Sequence, residues 1–139
     1  MANTKLIPNL SVGDIKFGDD IKNYFDLEFD YYPKGEDYIE DLYVFRKPPV
    51  SVYVDERKLV TSINCFKECY WKETNLIGLP IKNFIKLIGA SPDSSEKIFL
   101  IVNKIGQTQT VYEFESFGLQ VWTYRNKIVS IFCTTYNDV

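Results

Sequence analysis

The alternation of apolar and polar positions is clearest between Gly118 and Cys133, Gly-Leu-Gln-Val-Trp-Thr-Tyr-Arg-Asn-Lys-Ile-Val-Ser-Ile-Phe-Cys. Two runs rich in β-branched and aromatic residues flank the polar Arg125-Asn126 pair, the pattern of a β-hairpin. The second run has a counterpart upstream: Val60-Thr61-Ser62-Ile63-Asn64-Cys65 aligns without a gap on Ile128-Val129-Ser130-Ile131-Phe132-Cys133. The chain therefore reads as a duplication.

Eight segments in all carry strand patterns. In the first half strands are expected at Leu27–Tyr32, Leu42–Arg46, Val50–Val54 and Leu59–Phe66, and in the second at Lys97–Val102, Thr110–Glu115, Leu119–Tyr124 and Ile128–Thr134. Turn residues separate them at Pro33-Lys34-Gly35, Lys47-Pro48-Pro49, Asp55-Glu56-Arg57-Lys58, Ile105-Gly106-Gln107 and Ser116-Phe117-Gly118, and such short turns force antiparallel pairing.

Helical spacing precedes each set. In Phe17 to Phe25, Asp19 is placed to cap, and Ile21, Tyr24 and Phe25 share one helical face. In Ile77 to Ile88, Pro80 suits the first turn, Ile81, Phe84, Ile85 and Ile88 form the stripe, and Gly89 with Pro92 marks the stop. The expected fold class is α+β, a tandem duplication of a short helix followed by a four-stranded antiparallel meander, about eight strands in all. Residues 1–139 form a single domain of two repeats, about 13–66 and 77–134. An irregular arm to about Gly13 precedes them, and a linker over 67–76 places Tyr70 and Trp71 between the halves.

Composition adds little beyond a core: 45% hydrophobic and 16% aromatic content suits one packed domain. Charge changes the picture more. Sixteen basic against 19 acidic residues argue against the broad basic surface that binds nucleic acid. The acidity is local: Asp26, Glu28, Asp30, Glu36, Asp37, Glu40 and Asp41 face only Lys34 within that stretch, a balance of 1 minus 7, or −6, in a chain whose total is −3. Leu27, Phe29 and Tyr31 alternate with Asp26, Glu28 and Asp30, which predicts an edge with its apolar set inward and its carboxylates outward. With Tyr31, Tyr32 and Tyr38 beside them, these ten residues are either a solvated edge that discourages aggregation or a docking face for a basic protein.

Catalytic chemistry is poorly supplied. The chain has no histidine, the commonest general base and the usual partner of Ser and Cys nucleophiles. Glycines are scattered at turns and helix ends instead of forming a phosphate loop. An enzyme is not expected, and no catalytic residue is assigned. Cys65, Cys69 and Cys133 read as structural thiols, because a zinc site without histidine would need carboxylate ligands. No metal and no cofactor are expected. Trp122, Tyr124 and Phe132 read as core aromatics, with a ligand-stacking surface as the rarer alternative. Met1 to Pro8 lacks the apolar run of a signal peptide, and no segment has the length and apolarity of a membrane span, so a cytoplasmic location and no membrane partner are expected.

The duplicated layout, a glycine-containing short helix and then a meander ending in Leu-Gln-Val-Trp-Thr-Tyr-Arg-Asn-Lys-Ile-Val-Ser-Ile, resembles small bacterial immunity proteins of polymorphic toxin and contact-dependent growth inhibition systems. It also looks like the helix-plus-meander repeat of β-lactamase-inhibitor-like proteins. The resemblance implies a non-enzymatic protein that binds and neutralises one cognate toxin domain by protein–protein contact, most readily a nuclease with a basic surface. The rival reading is a small-molecule-binding or scaffold domain that uses a concave sheet face.

Overall fold

The computed structural model describes residues 4–135. The N-terminal arm is a small sheet of three two-residue strands, β1 (Leu6–Ile7), β2 (Ser11–Val12) and β3 (Ile15–Lys16). Four strands follow: β4 (Phe29–Tyr32), β5 (Asp41–Phe45), β6 (Val50–Val54) and β7 (Val60–Cys65). A two-stranded ribbon, β8 (Tyr70–Trp71) and β9 (Thr74–Asn75), leads to helix α1 (Ile81–Ile88). The chain closes with β10 (Ser94–Val102), β11 (Ile105–Phe114), β12 (Leu119–Tyr124) and β13 (Lys127–Thr134).

The expected α+β tandem of helix plus meander does not form. Among the described residues the structure is mostly β, 51% strand and 11% helical with one α-helix, and is organised by an eight-stranded antiparallel sheet in the order β10-β11-β12-β13-β7-β6-β5-β4. The segment expected as the first helix is one 3₁₀ turn, Ile21–Tyr24, capped by Asp20 in place of Asp19. Length explains this outcome: the chain must reach β4 five residues after Tyr24, and a single turn cannot repay the cost of nucleating an α-helix. The second segment has eight residues, an apolar stripe that buries Ile81 and Phe84, and Gly89 at φ 69° to end it, the left-handed stop that glycine permits.

The two halves nonetheless make the same backbone contacts ahead of these turns. Gly18 N–H donates to Val60 O, Val60 N–H to Asp19 O, and Ile21 N–H to Lys58 O. Gly78 N–H donates to Ile128 O, Ile128 N–H to Leu79 O, and Ile81 N–H to Asn126 O. Each contact in the second set is the first displaced by 60 residues on one side and 68 on the other, as 18 to 78 and 60 to 128 show.

The hairpins follow local turn chemistry. Arg125 and Asn126 both take positive φ, 51° and 67°, as do Asn103 and Lys104 at 52° and 67°, the twist of the two-residue turns that suit β-hairpins. One face of the sheet carries Tyr43, Val52, Ile63, Cys133, Leu119 and Phe114 in successive register. The arm, the 3₁₀ turn, the β8–β9 ribbon and α1 all contribute to the same core cluster through Leu6, Val12, Ile15, Ile21, Cys69, Leu76, Ile81 and Phe84. Phe84 meets Phe114 edge-on, ring centroids 5.2 Å apart. In the segment between the halves Trp71 packs on Phe117 at 6.0 Å.

Candidate partner-binding surface

Strand β4 is one edge of the sheet, paired only with β5. Its alternation places Phe29 and Tyr31 on the core side, where Phe29 packs on Phe25, Tyr43 and Phe45 at 5.3, 5.3 and 5.5 Å and Tyr31 on Tyr43 at 4.9 Å. Asp30 points to the opposite face with its neighbours across the strand. There it meets a residue outside the acidic stretch: Arg46 holds both carboxylate oxygens of Asp30 at 3.1 Å and also binds Glu28. These bonds, to Asp30 first and Glu28 second, raise the guanidinium pKa further.

The loop from β4 to β5 is fixed at both ends. Asp41 accepts the Lys34 N–H at 2.8 Å and pairs with the Lys58 ammonium, and the Lys58 bond, followed by the Lys34 N–H, lowers its carboxyl pKa. Gly35 N–H donates to Tyr38 O at 2.9 Å, and the rings of Tyr32 and Tyr38 lie 5.5 Å apart. Ile39, at the far side of this loop, is 89% exposed. A groove of about 450 Å³ runs beside it between Lys34, Glu40, Asp41, Val54, Glu56 and Lys58.

The structure thus brings all ten sequence-derived candidates, Asp26, Glu28, Asp30, Tyr31, Tyr32, Glu36, Asp37, Tyr38, Glu40 and Asp41, to one edge and its loop. It also adds what their spacing did not show. Arg46 and Lys58 reduce the patch from −6 to −4 when the two cations are counted with it. Asp26, Glu36 and Asp37 stand exposed, whereas Asp41 serves the loop's own geometry.

The face of the sheet turned from the core carries a row of rings. Trp122 lies 6.4 Å from Phe132, and Phe132 lies 5.9 Å from Tyr53 on the far side of β7. They meet because β7 offers small side chains there, Ser62 and Asn64. Trp122 donates through Nε1 to Gln120, which donates in turn to Glu113. Asn64 Oδ1 is buried within this face and has no hydrogen-bond partner. These half-buried aromatics belong to the outer face, not to the main core cluster.

Two features escaped the sequence pattern. The β10–β11 hairpin extends beyond the β12 pairing, which ends at Thr110, and exposes Phe99, Ile101 and Ile105 by more than 60% each. The three cysteines, read singly as structural, converge in the core. The Cys65 thiol is pulled well below its ordinary pKa by the thiol of Cys133 first and of Cys69 second, while the thiols of Cys69 and Cys133 are pushed well above it. A convergence of this kind was signalled only by Cys65 and Cys133 sharing one repeat position.

No family model matches the chain, and the curated proteins and solved structures compared with it include no significant match. Among the described residues, no helix is long and apolar enough to cross a membrane.

Proposed function

We propose that this chain is a non-catalytic binding protein that neutralises a basic protein partner, as an immunity protein neutralises its toxin, and that it does so in the cytoplasm. The observation that carries the reading is the β4 edge with its loop: net negative after internal pairing, bordered by exposed Tyr31 and Tyr32, and ending in Ile39 beside a groove. Carboxylates at a rim speed encounter with a basic surface, and aromatic and aliphatic side chains supply the anchoring area. A nuclease domain, whose substrate surface must be basic, is the partner of matching chemistry.

The direct test is to ask whether a neighbouring gene encodes a large secreted protein with a variable C-terminal domain and, where one does, to co-express that domain with this chain. The expected result is a stoichiometric complex and survival of cells that the domain alone arrests. Arrest that proceeds unchanged in the presence of this chain overturns the reading.

The ring row on the outer face favours a second reading. Trp122, Phe132 and Tyr53 offer a stacking surface to a planar small molecule. Quenching of tryptophan fluorescence by such a ligand, lost in Trp122→Leu, distinguishes it from the protein-binding reading.

A further inference from the structure

All three cysteines of the chain meet at one point. Cys65 and Cys133 end equivalent strands of the two halves, and the β7–β13 pairing sets them diagonally on the core face: Cys65 lies opposite Ile131, and Cys133 opposite Ile63. Cys69 comes from the turn after β7. It is held there by its N–H, which donates to Asn75 Oδ1 at 3.1 Å, and by its carbonyl, which accepts the Leu76 N–H at 2.7 Å. The three Sγ atoms lie within 4.8 Å of one another, all are buried, and none is in a disulfide.

We propose that Cys65, Cys69 and Cys133 form a three-thiolate site for a soft monovalent metal ion, copper(I). Simple packing would account for any one buried cysteine, since a thiol behaves as a small apolar group. It does not account for the whole complement of the chain being drawn from two strands and a turn to one spot. The size is right: metal–sulfur bonds of about 2.3 Å in a trigonal array set the sulfurs about 4 Å apart. The donor set decides between metals. Zinc takes four ligands in closed protein sites, and among the described residues neither a histidine nor a carboxylate joins this cluster. Thiolate donors select soft ions, copper(I) among them, and copper(I) accepts three. On binding, three copper–sulfur bonds replace three sulfur–hydrogen bonds, the three protons pass to water, and no electrons change hands. Two of the three ligands stand on paired strands of the sheet, which presets their separation. The expectation of no metal rested on the lack of a fourth donor, and a three-coordinate ion removes that objection.

The site is independent of the partner-binding reading and is tested on the protein alone. Reduced protein, kept free of oxygen, is titrated with copper(I) in competition with a chromogenic copper(I) chelator, and in parallel with zinc. One copper(I) per chain is expected, with ultraviolet thiolate-to-copper charge transfer and zinc retained far more weakly. Cys69→Ser, which lies outside the sheet and leaves both strands intact, is expected to weaken copper binding by about 100-fold or more, at least the upper range for lost supporting contacts. Far-ultraviolet circular dichroism verifies its fold, and Cys69→Ala serves as a second variant that lacks the third thiolate. The proposal is overturned if the chelator strips copper from the wild type without competition, if Cys69→Ser binds as tightly as the wild type, or if zinc binds as well as copper.

Discussion

Asn64 and Phe132 face each other across the β7–β13 seam, and they are also the same position of the two halves, 68 residues apart (132 minus 64). On either side of them the pairing is reciprocal, Cys65 with Ile131 and Ile63 with Cys133. A two-fold relation of the halves therefore passes through this pair, and the seam joins two four-stranded meanders into one sheet. Such a join removes two free edges that would otherwise invite pairing with other chains.

Ile63 and Ile131 flank the seam and are wholly buried. Truncation of either to alanine is expected to cost about 2–5 kcal/mol, the transfer loss plus the cavity left behind. Chemical denaturation that returns less than about 1 kcal/mol for both would contradict their place at the centre of the core.

Gly118 distinguishes backbone strain from crowding. It sits at φ +64°, and a Cβ there would lie 2.1 Å from Thr134 O, a backbone atom of the strand end that donates to Gly118 O. Gly78 also has positive φ, +90°, but open space around it. Gly78→Ala should cost about 1 kcal/mol, the left-handed penalty alone, and Gly118→Ala clearly more, since β13 must shift to admit it. Equal melting temperatures for the two variants would refute the distinction.

Tyr24 should govern part of the alkaline limit of stability. Burial is the main reason its phenol is pushed from 10.0 up to about 12, and its hydroxyl donates to Asp19 at 2.7 Å. A raised folded-state pKa contributes stability fully below pH 10.0, and that contribution is lost as pH rises towards 12. Unfolding free energies measured across this interval should fall more steeply for the wild type than for Tyr24→Phe. Parallel curves would remove Tyr24 from the account.

For partner binding, the acidic residues to reverse are those outside the Arg46 and Lys58 pairs. The Glu36→Lys, Asp37→Lys, Glu40→Lys variant should keep wild-type stability, because exposed charges contribute little to it. It should slow association with a basic partner by about tenfold or more at low salt and flatten the salt dependence. Stopped-flow rates at two ionic strengths provide the check, and unchanged rates and slopes would return the edge to a solvated boundary.

Local pattern determined much of this molecule. Alternation marks Val50–Val54 and Leu119–Tyr124 to the residue, because side chains on a half-buried strand answer to a period of two whichever strand lies beside them. Gly89 and the Arg125-Asn126 turn were readable for the same reason, since each answers to its own backbone. The repeated Val60–Cys65 text marked equivalent positions before any contact was visible. What the pattern left open depended on residues far apart in the chain. Whether Ile21 to Tyr24 would extend into an α-helix turned on the distance to β4 and on the bonds from Gly18, Ile21 and Val60. Arg46 reached Glu28 and Asp30 only through strand pairing. The union of the halves at β7–β13 and the meeting of Cys65, Cys69 and Cys133 likewise came from tertiary structure, because alternation specifies which face a strand buries but not which distant strand its edge will pair with.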